Sequence, residues 1–368
     1  MFVEVHAIQN FAPSNLNRDD TGNPKDCEFG GYRRARISSQ CLKRAIRLSP
    51  VFARTTGVDV GTRTKWLIER CLRPPLVAAG KPDDQVTEIL TAFVQEFASK
   101  LDSKSGDDHK TAVLLYLGQS ELDNIVRALL DNWESLPGGA KKLANALVKE
   151  HKGQTSVPDI ALFGRMLAEK PELGLDAACQ VAHAISTHRV AMEMDFYTAV
   201  DDLKADDTAG AGMMGFTGFN SACFYRYARI DWAQLMENLK DAGLARRTVE
   251  GFLRAMVAAV PSGKQNTFAA NCPPNFLLAV VRQDGMGWSL ANAFEKPVHP
   301  RGDSGLVAPS VAALDTYWDR LCQVYGTDSL VQTAALALDS DLPLKNLSGN
   351  SVPTLDAWVG AVVDALPA

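Results

Sequence analysis

With 368 residues, 46% of them hydrophobic and 22% charged, the chain can hold a large core or two compact units, and its make-up excludes a disordered or fibrous protein. Seven cysteines without a C-x-x-C pair and six scattered histidines argue against a disulfide framework, and no metal or cofactor is expected. No run approaches the roughly 18 apolar residues of a membrane span, and the start lacks a basic segment followed by an apolar one, so a reducing cytoplasm is the expected compartment and no membrane partner is expected.

Residues 2–8 alternate loosely and predict a strand. Residues 10–28, rich in Pro, Asn, Asp and Gly, predict a long loop. The window from Phe29 to Val58 then carries seven Arg or Lys and no Asp or Glu. The whole chain sums to -5, so everything outside this window sums to -12. Basic charge concentrated on an acidic chain is the footprint of a polyanion partner. The second half of the window predicts a helix capped by Ser38 or Ser39. Cys41, Leu42, Ala45 and Ile46 share its inner face, whereas Gln40, Lys43, Arg44 and Arg47 recur one turn apart on the other, where they can follow a phosphate backbone. A solvated basic face is the ordinary alternative.

From about residue 62 to 188 the pattern is helical, with apolar spacing of three and four over 65–72, 85–98, 122–133, 141–151, 161–169 and 176–183. The period then changes. Residues 190–200 and 222–230 predict strands, 244–260 a helix and 276–281 a short strand. Strand, helix, strand, strand, helix, strand is the order of a ferredoxin-like or RRM-like α+β fold. The link 204–221 is glycine-rich, yet carries Met213, Met214, Phe216 and Phe219 where a loop is normally polar. These side chains pack on a neighbour or wedge between bases; a disordered hairpin tip is the alternative.

Several blocks resemble one family. They read Leu-Asn-Arg-Asp-Asp at 16–20, Phe-Gly-Gly at 29–31, Arg-Ile-Ser-Ser-Gln at 36–40, Leu-Lys-Arg-Ala at 42–45 and Asp-Ile-Ala-Leu-Phe-Gly-Arg-Met at 159–166. They continue with Phe-Tyr-Thr-Ala-Val-Asp-Asp at 196–202, Phe-Tyr-Arg-Tyr-Ala at 224–228, Lys264-Gln265, Ala-Asn-Ala-Phe-Glu-Lys at 291–296 and Tyr-Trp-Asp-Arg at 317–320. Together they resemble the CasC family, the CRISPR RNA-binding backbone subunit of the type I-E Cascade surveillance complex. Residues 55–157 and the tail after Val324 carry little of this resemblance.

The resemblance implies an RRM-like palm (1–55, 186–203 and 220–368), a large helical fingers insertion (56–185) and a glycine-rich β-hairpin thumb (204–219). It implies RNA contacts from Arg18, Ser38, Gln40, Lys43, Arg44, Arg47, Phe163, Arg165 and Met166, although periodicity alone puts Phe163 and Met166 in a core. It implies that a thumb displaces bases at intervals, with Met213, Met214, Phe216 and Phe219 as candidates here. Lys141, Lys142 and Lys149 form a basic helix face that can hold DNA phosphates or simply be solvated. The implied partners are CRISPR RNA, target DNA, further copies of the chain in a helical filament, other Cascade subunits and a recruited nuclease-helicase.

Two other readings compete. Asp19, Asp20 and Asp26 lie where related RNA-targeting backbone subunits carry a metal-assisted nuclease aspartate, but their context resembles the DNA-targeting branch, so no catalytic residue is expected. An RNA-binding protein acting alone has no use for the insertion or the apolar link. His6, on a strand, is expected to be structural rather than catalytic. The Phe-Gly-Gly at 29–31 is no P-loop, because no Gly-Lys-Ser/Thr follows.

Overall fold

The alternation at 2–8 is the visible part of a longer strand, β1 (Phe2–Ser14). Polar residues beyond Ile8 disguise it. Gln9 is fully buried, accepting from Arg226 at 2.6 Å and donating to the Cys272 carbonyl at 2.7 Å, while Asn10 donates its amide to Asn275. The predicted loop over 10–28 is therefore corrected at both ends, since β2 (Asp26–Phe29) begins before it closes. The structure is a computed structural model and describes residues 1–367 except 105–108, 168, 200–212 and 301.

Strand β3 (Tyr32–Ile37) pairs back on β2 through Gly30 and Gly31, whose φ values of +61° and +77° suit a type I′ turn. Helix α1 (Ser39–Arg47) follows. The next stretch holds α2 (Pro50–Thr56), β4 (Thr62–Thr64), a π-helical turn at Leu67–Leu72, α3 (Arg73–Ala78), α4 (Asp83–Phe97) and β5 (Leu115–Leu117). It continues through α5 (Gln119–Asp131), α6 (Leu136–Glu150), α7 (Pro158–Phe163) and β6 (Cys179–Val181). The chain then returns through β7 (Ala184–Ser186), β8 (Glu193–Ala199), β9 (Met213–Asp231), α8 (Trp232–Leu239), α9 (Ala242–Ala258), α10 (Gln265–Phe268) and β10 (Phe276–Arg282). The C-terminal part adds α11 (Val307–Tyr325), β11 (Leu330–Ala337) and α12 (Leu355–Asp364), for which the sequence offered no expectation.

The fold is α+β, with two compact units. The first comprises Met1–Ser49, Val181–Arg229 and Phe252–Ala368, and the second Pro50–Gln180 with Ile230–Gly251.

The first unit is organised by a sheet in the order β11-β10-β1-β9-β7-β3-β2. Strands β1 and β10 are antiparallel from Phe2 opposite Arg282 to Ile8 opposite Phe276, and β11 adds antiparallel to β10. The strand beside β9 in this order is β7, whereas the strand predicted over 190–200 is β8, which pairs with the first half of β9. Every residue of β10 is buried. Val311, Leu314 and Trp318 of α11 join Ile8, Leu278, Val280 and Tyr225 in one core, and the Trp358 indole of α12 donates to the Ala334 carbonyl at 3.2 Å.

The second unit has its own helical core. Val86, Ile89, Leu90, Phe93, Val94 and Phe97 of α4 pack with Leu122, Ile125 and Leu129 of α5 and Ala144 and Leu147 of α6. Ile230–Gly251 joins this unit rather than the palm assumed from the sequence. The Asn238 side chain is one reason, because it donates to the carbonyls of Ala161 and Asp176. Two predicted helices are corrected. The 161–169 pattern ends at Phe163, where Gly164 turns the chain at φ +77°, and the 176–183 pattern is not helical but contains β6. Among the described residues, no helix is long and apolar enough to cross a membrane.

Charged and polar groups sit inside the core of the first unit. Glu4 is fully buried and accepts from Arg282 at 3.2 Å, from the Tyr227 hydroxyl at 2.7 Å and from the Trp288 amide at 2.7 Å. The Arg282 guanidinium also lies 3.9 Å from the centre of the Trp288 ring. His6 faces this group. The Tyr225 hydroxyl accepts from the Leu290 amide at 2.7 Å and shares a hydrogen bond with His6 Nδ1, 2.9 Å away. Burial pushes the His6 imidazole down to about 4, against an opposing pull from Glu4.

That shift fixes a pH dependence. The unfolded chain binds a proton at His6 near 6.5, whereas the folded protein resists it until about 4. The contribution of His6 is full above pH 6.5 and is lost progressively as the pH falls towards 4, by roughly 3 kcal/mol in all. Urea denaturation of the wild type and of His6→Gln between these limits checks it. The difference between the two stability curves should fall with pH; parallel curves would show that the ring titrates normally.

Candidate nucleic-acid interface

Ser38 caps α1, its hydroxyl accepting from the Cys41 amide at 3.3 Å, which decides between the two predicted caps. Its own amide donates to Asn17 Oδ1 at 2.8 Å, so the Leu-Asn-Arg-Asp-Asp loop fixes where the helix begins. Leu42 and Ile46 pack inward, while Gln40 and Arg44 are exposed and Lys43 is half-buried. Arg47, expected on the outer face, is only 8% exposed. It stands in the last turn before the helix ends at Leu48, where the chain bends back, and the charged face shortens to Gln40, Lys43 and Arg44.

Of the other members of the basic window, Arg34 turns inward, while Arg33 and Arg36 are paired at or near the surface. Arg34 is fully buried and donates to the carbonyls of Ser186, Phe294 and Glu295. Arg33 pairs with Asp26 at 3.0 Å. Arg36 donates to the Asp26 carbonyl and to His183 Nδ1, and burial, Arg36 and Lys25 together keep the His183 imidazole below its ordinary range. Lys25 and His183 thus belong to the basic neighbourhood of α1, although no local pattern marks them.

Arg18 is exposed at the rim of the loop, in a bridge with Pro24. Asp19 closes that loop. Its carboxylate accepts from the Thr21 hydroxyl at 2.7 Å and from the amides of Thr21 and Asn23, which hold it below the usual carboxylate range. Asp20 is exposed. Among the described residues, no three His, Cys, Asp or Glu side chains come together as a metal site.

The same loop reaches the base of a second feature. Asn15 donates to the Gly218 carbonyl at 2.9 Å and to Gly22 at 3.0 Å. A Cβ on Gly218 would strike the Asn23 side chain and sit 3.1 Å from the Met192 sulfur, so a larger residue here would displace these side chains. Beyond this point β9 pairs with β8, from Glu193 opposite Phe219 to Ala199 opposite Met213. All of β8 is exposed. Residues paired across the ladder share a face. Met194, Phe196, Met214 and Phe216 therefore form one apolar face, with the Phe196 and Phe216 rings 5.1 Å apart. Met214 is 67% and Phe216 69% exposed. Met213 and Tyr197 are exposed on the other face, whereas Phe219 is half-buried against Phe268. Met213 to Phe219 are strand residues rather than loop, and residues 204–212 of the expected thumb lie outside the described residues. The β8 side chains were not among the candidates, because the alternation at 190–200 predicts a strand and says nothing of which faces meet water.

Two other blocks that carry the CasC resemblance, at 291–296 and 317–320, line one open cavity of about 1450 Å³. Lys296, His299, Tyr317, Arg320 and Lys345 border it. Asp315 borders it as well, but its carboxylate is taken up by the amides of Lys345, Asn346 and Leu347.

The second unit separates the remaining candidates. Arg165 is 4% exposed and donates to Glu121 at 3.0 Å and to the carbonyls of Leu173 and Tyr116, so it is a structural arginine, not an RNA contact. Met166, predicted in a core by periodicity, is 91% exposed. The reason is local. With the helix ended at Phe163, residue 165 pairs with Leu175 as a bridge, and extended alternation turns Arg165 in and Met166 out. Phe163 is half-buried, and Lys141, Lys142 and Lys149 are exposed on α6.

Removing Arg165 leaves Glu121 as an uncompensated buried charge, a loss of about 3–5 kcal/mol. Arg165→Ala should show that loss in urea denaturation, while Arg44→Ala should change stability by less than about 0.5 kcal/mol. Equal stability of the two variants would contradict the buried placement of Arg165.

The family model described as CT1975-like protein, Cas_CT1975, matches residues 3–361. No curated protein matches the chain. A chain of a "CRISPR RNA-guided surveillance complex, pre-nicking" is similar at 32% identity and a TM-score of 0.88, covering 99% of this chain and 100% of that one. A chain of another "CRISPR RNA-guided surveillance complex" is similar at 26% identity and a TM-score of 0.77, with both chains covered in full. The protein belongs to the CT1975-like family, as the CasC resemblance of its sequence blocks leads one to expect.

Proposed function

We propose that the chain is a CRISPR RNA-binding backbone subunit of a Cascade-type surveillance complex. Copies line up along one guide, hold its phosphates and leave its bases to pair with target DNA, so sequence reading belongs to base pairing. The observation that carries this reading is the loop 15–24. It joins the cap of the basic helix α1 to the base of an apolar hairpin that its own unit leaves exposed. A phosphate-holding surface beside a projecting apolar ladder suits a protein that binds a strand and a neighbouring copy together.

In this reading the first unit is an RRM-like palm, the second the fingers, and the β8–β9 ladder the stem of a thumb. Arg18, Gln40, Lys43 and Arg44 meet guide phosphates, with Ser38 positioning the helix. Met166 and the hairpin side chains Met213, Met214 and Phe216 face nucleotides or the adjacent copy. Lys141, Lys142 and Lys149 hold target DNA through its phosphates. The subunit performs no chemistry, and destruction of DNA falls to a recruited nuclease-helicase. Supporting the non-enzymatic reading, the Asp19 carboxylate is taken up by its own turn, and Asp26 forms a surface ion pair with Arg33. The ribonuclease reading has no comparable support.

Lys43→Ala with Arg44→Ala should weaken guide binding to a similar degree for all sequences. The plot of log affinity against log salt should become shallower by about 0.7 per lost contact. Unchanged affinity and slope in filter binding would reduce the α1 face to an ordinary solvated surface.

Met214→Ser with Phe216→Ser should leave the thermal transition of the free chain in place, because neither side chain is packed in its own core. Regular arrays on guide RNA, seen by electron microscopy, should be lost. Loss of the transition would place the ladder in the core instead.

A further inference from the structure

The open cavity of about 1450 Å³ plays no part in the reading above. It belongs to the first unit and lies beside α11. Along β9, Cys223 and Tyr225 pack with Val311 and Leu314 of α11, whereas Ala222 and Phe224 pack with Leu42 of α1. Successive residues of a strand point to opposite faces, so α11 and α1 lie on opposite sides of the sheet. The cavity is therefore a surface distinct from the proposed guide contact.

Three segments wall the cavity, and each is held by the protein itself. Arg34 donates to the carbonyls of Phe294 and Glu295, and the Val298 amide donates to the Thr187 carbonyl at 2.9 Å, which fixes the first wall. The second wall is α11, seated in its core by Val311, Leu314 and Trp318. Buried Asp315 then accepts from the amides of Lys345 at 3.2 Å, Asn346 at 3.1 Å and Leu347 at 2.9 Å, and so ties the third wall to α11.

Charge on these walls is uneven. Lys296, Arg320 and Lys345 are exposed at the border, and among the described residues no carboxylate pairs with any of them. His299 is exposed beside them, and Glu295 brings one negative charge. Ala308 and Pro309 set the first turn of α11 against the cavity, and that turn carries no acidic residue, so the positive end of the helix dipole adds to the rim. Between the charges the lining is small and aliphatic, from Ala293, Pro297, Ala312, Ala313 and Pro343. Tyr317 is half-buried and packs against the α11 core.

A cationic rim around an aliphatic floor selects its ligand. A nucleic acid would bring phosphates to the rim, but these floor side chains neither hydrogen-bond a base edge nor stack a base. A peptide with carboxylates between small apolar side chains satisfies both parts, because its charges meet the rim while its methyl groups cover the floor. The ladder face of Met194, Phe196, Met214 and Phe216 carries no carboxylate and does not match this rim. We propose that the cavity docks an extended acidic segment of another protein, with its carboxylates on Lys296, Arg320 and Lys345 and its small apolar side chains against α11. This docking does not depend on guide binding.

The test uses the full chain with a labelled peptide of alternating Glu and Ala, the same peptide with Gln for Glu, and a labelled oligothymidylate. Fluorescence anisotropy is followed over a range of salt. The Glu peptide should bind, more weakly as salt rises, and the Gln peptide should not. Lys296→Gln with Arg320→Gln and Lys345→Gln should melt like the wild type and bind the Glu peptide about tenfold more weakly. Ala312→Phe, which fills the floor, should also weaken the Glu peptide while leaving its salt dependence in place. Failure of the wild type to bind the Glu peptide, or equal binding by the wild type and the triple variant, overturns the proposal. A triple variant that loses oligothymidylate or guide RNA instead also overturns it and makes the rim a nucleic-acid surface. Peptide binding by the free chain that disappears once copies are assembled on guide RNA gives the cavity to a second copy, and the proposal falls as well.

Discussion

The hydrogen-bond ladder along β9 is the constraint on which the arrangement of the first unit depends. One strand runs from Met213 to Asp231 and changes character near Gly218. Its second half lies between β1 and β7, carrying Cys223 and Tyr225 into the core. Its first half leaves that environment and pairs only with β8. Because the backbone is continuous, the exposed ladder inherits its direction from the buried sheet rather than from local packing. Two side-chain bonds hold the point of departure, Asn15 to the Gly218 carbonyl and Ser221 to the Phe11 carbonyl. An apolar surface that no described residue of its own unit covers can therefore project in a defined orientation, which a loosely tethered loop could not maintain.

Arginine serves two distinct purposes in this protein, and burial separates them. Arg34, Arg165, Arg226 and Arg282 are inside, where planar guanidinium groups satisfy carbonyls or carboxylates that the chain must bury. Arg34 alone links β3 to the backbone at Ser186, Phe294 and Glu295, joining parts of the chain far apart in sequence. Such groups are costly to break because the partner is left behind without water. The cations left at the surface of α1, half-buried Lys43 and exposed Arg44, are few, but they stand side by side on one turn of a helix whose start is set by two hydrogen bonds. A small number of well-placed charges suits a strand that is to be held without being read.

The buried polar group around Glu4 shows the same logic in the core. Glu4, Arg282, Tyr227 and the Trp288 amide satisfy one another, and Tyr225 orients its hydroxyl between Leu290 and His6. These contacts tie β1, β9 and β10 to the turn that precedes α11. They specify one packing of the sheet where an all-apolar interior would allow several, at the cost of the acid sensitivity that His6 brings.

The sequence by itself determined the α+β class, the basic window, the helix that ends it, the helical insertion and the apolar character of 213–219, because composition and periodicity are local properties. The Gly30-Gly31 hairpin was not read from the sequence, and only the structure showed it. What the tertiary structure alone decided is which side of each element meets water. Periodicity cannot distinguish Lys43 from Arg47, yet one is half-buried and the other turns inward where the helix ends. It placed Met166 in a core, whereas the glycine-induced end of α7 changed the period and reversed its direction. It predicted β8 as a strand without saying which of its faces would be covered, and among the described residues neither face is. Polar Gln9 hid half of β1, since its partners Arg226 and Cys272 lie more than two hundred residues away. Burial is a property of whatever comes to lie opposite a residue, and in this chain that neighbour is seldom near in sequence.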